Sequence, residues 1–187
     1  MKDLLVRLRN ALPQMRQWID DLHANHSGES VRASELGFSG LAAHLPRALL
    51  QDASAVMTYT IPFPPVRKFG LPEFEAMGNM AMDGITFGNT YFVRPAASVE
   101  AVHFHELVHV IQWTTLGFEQ FLMTYGLGII QHRYEQSPLE AIAYELQAQL
   151  QHGHQLRNVV QTVERHAISS RDEAAAVFAQ NGIEMPA

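Results

Sequence analysis

His105-Glu106-Leu107-Val108-His109 places two imidazoles and a carboxylate within five residues. On a helix, positions four apart lie about 40° apart around the axis, so both imidazoles project from one face and can grip a single cation. Glu106 stands beside them, placed to polarise a metal-bound water. Val99, Val102, Phe104, Leu107, Val108, Val110, Ile111 and Leu116 put apolar side chains on nearly every side of this helix, which marks it as buried. An unpaired buried charge costs on the order of several kcal/mol, and a bound zinc ion would satisfy the cluster. The competing reading keeps His105 and His109 as hydrogen-bonded core histidines, with Glu106 paired to one of them or to an arginine. His103 projects from a different face and reads as structural.

The chain contains no cysteine, which excludes sulfur ligation, disulfides and thiolate nucleophiles. A catalytic zinc usually takes three protein ligands and one water, so a third ligand is needed. The metzincin extension would require Gly at position 112 and His at 115, where this chain has Gln112 and Thr115. What remains is a carboxylate on a second helix. Glu140, Tyr144, Gln147 and Gln151 share one helical face, flanked by Ala141, Ala143 and Ala148, whose small size permits close helix approach. Glu145 lies about 140° around the axis, near Gln149. Glu140 is the better ligand, although Ser137-Pro138-Leu139-Glu140 also fits a capping box, in which the same carboxylate folds back to the N-cap amide.

His-Glu-x-x-His followed by Glu140-Ala141-Ile142-Ala143-Tyr144 resembles the gluzincin class of zinc metallopeptidases. His105 to Trp113, taken with Pro138-Leu139-Glu140, is similar to small bacterial metallopeptidase-like domains, over about residues 85 to 150. The resemblance implies zinc on His105, His109 and Glu140, with Glu106 as general base and acid in peptide hydrolysis. It also implies an edge strand upstream of the zinc helix that binds an extended peptide or protein substrate, for which Ile85-Thr86-Phe87 and Thr90-Tyr91-Phe92-Val93 are candidates. Many gluzincins place an Asp four residues after the ligand Glu to orient a zinc histidine, and here that place holds Tyr144. Tyr134 and His132, just before the second helix, are candidates by placement to stabilise the developing oxyanion.

The elements that must position these residues are mostly helical. Leu4, Leu8, Leu12, Met15, Trp18, Ile19 and Leu22 make residues 1–24 an amphipathic helix whose stripe packs on a core. A second helix is expected from Gly40 to about Ser54, then a strand from Val56 to Ile61 that Pro62, Pro64 and Pro65 end. Gly88-Asn89 closes a hairpin. Helices follow from Val99 to Leu116, with Gly117 as a stop, from Pro138 to about His152, and from Ser170 to Asn181-Gly182. Between the two ligand-bearing helices, Phe118, Phe121, Met123, Tyr125, Leu127, Ile129 and Ile130 form an apolar connector expected to pack on the core or wall the cleft.

The expectation is a single α+β domain, mostly helical, with a small antiparallel sheet packed on the zinc helix. A length of 187 residues with 47% hydrophobic content suits one core. A net charge of −6 without a basic cluster argues against nucleic acid or an anionic membrane as partner. Arg7 and Arg9 interrupt the N-terminal apolar run before it could serve as a signal peptide, and Phe121 to Ile130 is too short to span a bilayer, so the expected location is cytoplasmic. Two rivals stand beside the peptidase: a non-catalytic domain whose zinc pins two helices, and a metal-free helical binding module that uses the N-terminal stripe.

Overall fold

The computed structural model describes residues 1–186. The first helix, α1 (Lys2–His26), is followed by a two-residue strand β1 (Val31–Arg32), short helices α2 (Ser39–His44) and α3 (Arg47–Asp52), and strand β2 (Ser54–Met57). After a proline-rich stretch and 3₁₀ turns at Pro72–Asn79 come β3 (Gly84–Phe87) and β4 (Thr90–Val93), then helices α4 (Glu100–His132), α5 (Pro138–Gln151) and α6 (Val159–Gln180). No helix among the described residues is long and apolar enough to cross a membrane.

The fold is α+β, as expected, with helices dominating a four-stranded sheet of order β1-β2-β4-β3. β3 and β4 form the expected antiparallel hairpin; Gly88 takes φ +65°, a conformation that glycine adopts without a Cβ penalty. The sheet as a whole is mixed, because β2 pairs with β4 in parallel, Ser54 opposite Thr90 through Met57 opposite Val93. Pairing partners of this separation lie beyond what local turn chemistry encodes. β4 is therefore interior, and of the two candidate edge strands β3 is the outer one.

Three expected boundaries shift. The helix at Gly40–Ser54 is divided at Pro46, since the residue before a proline is driven out of the helical region: Leu45 is extended (φ −120°, ψ 144°) and α3 restarts at Arg47. The strand ends at Met57 rather than Ile61. α6 begins at Val159, not Ser170; Val159, Val163, Ala167, Ser170, Ala174 and Phe178 form one buried stripe, and the Ser170 hydroxyl donates within the helix to the His166 carbonyl (2.9 Å) instead of capping it.

α4 is the spine. It packs most extensively on α6 and α5, and from Ala101 to Trp113 every residue except Val102 is buried. Gly117 bends α4 (φ 73°, ψ 174°) without ending it, so the apolar connector is a second helical arm running to His132. The stripe of α1 is covered inside the fold: Leu5, Leu8, Leu12, Met15 and Ile19 are buried, the first three in one cluster with Met123 and Leu127 of that second arm.

Candidate metal centre

His105 and His109 project from the first arm of α4, and Glu140 from the first turn of α5, which the small residue Ala143 allows to lie close. Their ligand atoms converge. His105 Nε2 lies 3.1 Å from His109 Nε2, and the two Glu140 carboxylate oxygens each stand 3.4 Å from one of these nitrogens. All three side chains are buried, and together they form a group that can hold a metal ion.

The competing roles of Glu140 resolve in the same way. The N-cap Ser137 makes no side-chain capping bond, and the Glu140 carboxylate turns inward to the imidazoles and the Tyr125 hydroxyl. Glu145 is exposed on another face and accepts a bond from Gln149. Two buried polar atoms of the cluster, Glu140 Oε2 and His105 Nδ1, have no hydrogen-bond partner. A cation between the Nε2 atoms would satisfy Glu140 Oε2, whereas His105 Nδ1 lies on the other side of its ring.

The electrostatics follow from burial plus mutual charge. Burial opposes the charge on His109, yet the neighbouring Glu140 carboxylate outweighs it and lifts the imidazole to about 9. Burial likewise opposes ionisation of Glu140, but the two imidazoles hold it far below the usual carboxylate range. At neutral pH the centre without a cation is thus a buried ion pair. Glu106 is pushed upward, chiefly by burial, against the pull of both imidazoles.

Glu106 is held against the sheet rather than within the ligand triangle. The Thr86 hydroxyl of β3 donates to Glu106 Oε2 (2.6 Å), and a Cβ at Gly84 would stand 2.5 Å from Oε1, so a side chain there would force this carboxylate to shift. Among the described residues, no strand covers the outer side of β3. The Asp83 carbonyl accepts from the Arg94 amide, and strict alternation along the hairpin then turns the Gly84 and Thr86 backbone groups away from β4. The outward Thr86 carbonyl is taken by the Trp113 indole N–H (3.2 Å).

Two supporting residues were not singled out by the sequence as positive contributors. Gln112 accepts from His109 Nδ1 (2.8 Å) and donates to the Leu139 carbonyl (2.8 Å), so one amide fixes the His109 tautomer and ties α4 to the residue before Glu140. Tyr125, at the end of an aromatic stack through Phe121 to Trp113, donates to Glu140 Oε1 (2.6 Å). The spacing His109 to Gln112, one turn apart, carried a signal for the first; nothing local marked the second. Tyr144 meets His105 ring against ring (centroids 4.6 Å apart), while His105 Nδ1 stays unpartnered.

Tyr134 bounds the same cavity as Glu106, His109 and Glu140, with its hydroxyl pKa raised by burial and then by Glu140. His132 is exposed and does not bound that cavity. His103 has no exposed surface, with Nδ1 bonded to the Tyr91 hydroxyl (3.1 Å) and Nε2 to the Ser98 hydroxyl (2.9 Å), the structural role expected of it.

Comparison with family models, curated proteins and solved structures yields no match. The functional reading therefore rests on the site.

Proposed function

We propose that the protein is a zinc-dependent peptidase, with His105, His109 and Glu140 as metal ligands and Glu106 as general base. The observation that carries the reading is that Glu106, His109 and Glu140 together wall one cavity, so the candidate base and two of the three candidate ligands face space that could take part of a substrate. Structural zinc sites are closed, whereas catalytic ones keep a position open.

The donor set supports zinc. Two imidazoles and one carboxylate suit it, whereas calcium and magnesium take oxygen ligands. A tetrahedral ion with bonds of about 2.0–2.1 Å needs ligand atoms about 3.3–3.4 Å apart. The two imidazole nitrogens, 3.1 Å apart, lie close to that; each stands 3.4 Å from a different oxygen of Glu140, and one ligand atom from each of the three residues lies within 4.8 Å of the others.

When bound, zinc polarises the scissile carbonyl and makes a water acidic enough to be a nucleophile at neutral pH. Glu106 takes the proton of the attacking water and delivers it to the leaving amine, a double duty favoured by its raised pKa. Tyr134, kept protonated by burial, donates to the developing oxyanion. Gln112 and Tyr125 hold His109 and Glu140 in place. The outward backbone groups of Gly84 on β3 pair with an extended peptide by strand addition, the Thr86 carbonyl being held by Trp113.

The test begins with metal content. Wild type purified without added metal should hold one zinc per chain, and His109→Ala and Glu140→Ala none. Glu106→Gln should keep its zinc while peptide hydrolysis falls by about 10²–10⁴-fold. A wild type that takes up no zinc when zinc is supplied overturns the reading.

A further inference from the structure

The cavity bounded by Glu106, His109 and Glu140 extends well beyond them. It runs between α1 and the second arm of α4, under the Pro72–Asn79 turns, and has a volume of about 110 Å³. Away from the ligand cluster and Tyr134 its walls are aliphatic, aromatic or thioether: Leu8, Ala11 and Leu12 of α1, and Phe63, Phe74 and Met77 of the covering segment. Arg7 joins the two sides from outside by donating to Glu73 (3.0 Å).

From this we infer an apolar specificity subsite: the substrate carries an aliphatic group of about four to six carbons beside the scissile bond. The inference rests on the peptidase reading and names its substrate class. Size and chemistry support it together. An apolar cavity of about 150 Å³ accommodates a benzene ring, so 110 Å³ suits a leucine- or methionine-sized group and excludes an indole. A charged substituent would be desolvated among these walls without a partner, which costs on the order of several kcal/mol. Met77 gives one wall a side chain that adapts to branched and straight chains alike.

The experiment uses two ladders read by binding. Straight-chain hydroxamates from aceto- to octano- are titrated by calorimetry into protein loaded with one equivalent of zinc. Straight-chain alcohols from ethanol to octanol are scored by thermal shift on metal-free protein. Affinity should rise about three- to fourfold per methylene, on the order of a hundredfold from aceto- to hexanohydroxamate, and then stop rising. Ala11→Phe should flatten both ladders, with Met77→Phe as the second filling variant should the first fail to fold, and Leu12→Ala should move the optimum to longer chains. Flat ladders in the wild type overturn the subsite. A rising alcohol ladder with no hydroxamate binding, or rising ladders without peptide hydrolysis, overturn the peptidase reading and leave the apolar subsite standing.

Discussion

Two histidine environments, less than two turns apart on α4, differ in every respect that matters for chemistry. His103 is closed: both ring nitrogens are bonded, Phe38 packs on its ring, and burial lowers its pKa to about 4, so it is neutral. His105 and His109 share a carboxylate, leave two polar atoms unpartnered and stand beside a cavity. Burial is nearly equal, with His103 fully covered and His105 and His109 each 6% exposed. Burial alone therefore does not mark a functional histidine. What separates the two is whether hydrogen-bonding capacity is met by the protein itself.

The largest effect should come from removing the shared carboxylate. Glu140→Ala should take metal stoichiometry from one per chain to none, while His103→Leu leaves it at one; equal loss in both would erase the contrast. Next in size is the support around Glu140. Tyr125→Phe deletes one hydroxyl and should weaken metal affinity about 10–100-fold, read by competition with a chelating dye. On the closed side, His103→Leu strips the buried Tyr91 hydroxyl of its partner and should cost about 1–3 kcal/mol in urea unfolding, with no change in metal affinity.

The finest discrimination is by pH, on metal-free protein. A histidine in the unfolded chain titrates near 6.5, whereas folded His103 stays neutral down to about 4. The unfolded state thus binds the extra proton first, and His103 makes stability fall as pH drops from 6.5 toward 4. His109 has the opposite sign. It holds its proton up to about 9, so its contribution is complete below pH 6.5 and is lost as pH rises through 9. Urea unfolding from pH 4 to 10 should show both slopes, with His103→Leu reducing the acid one, to which His23 and His166 also contribute because burial lowers their pKa values, and His109→Gln reducing the alkaline one. A profile unchanged by either substitution would mean that the two sites do not differ electrostatically.

Much of this was legible in the chain. The 3.6-residue period of apolar positions outlined α1, α4 and α5, and Gly88-Asn89 located the hairpin. The i, i+4 spacing put His105 and His109 on one helical face, because that relation is a property of any helix. Glu140 could be chosen over Glu145 by the same helical arithmetic, yet its competing role as a cap could not be dismissed from sequence, since both roles use one side chain.

Other features depended on contacts between distant segments. The parallel pairing of β2 with β4 joins residues 36 apart in register and has no local code. Gly117 reads as a helix stop, and only packing on α1 and α6 carries α4 past it as a second arm. That arm brings Tyr125 to Glu140 and, together with α1, makes the cavity beside His109 and Glu140. The composition and spacing of α4 determined by themselves that a metal-binding pair was available. Whether Glu140, Glu106 and an apolar pocket converge on that pair was decided by tertiary structure, because helical periodicity sets the direction of each side chain but not which neighbour it meets.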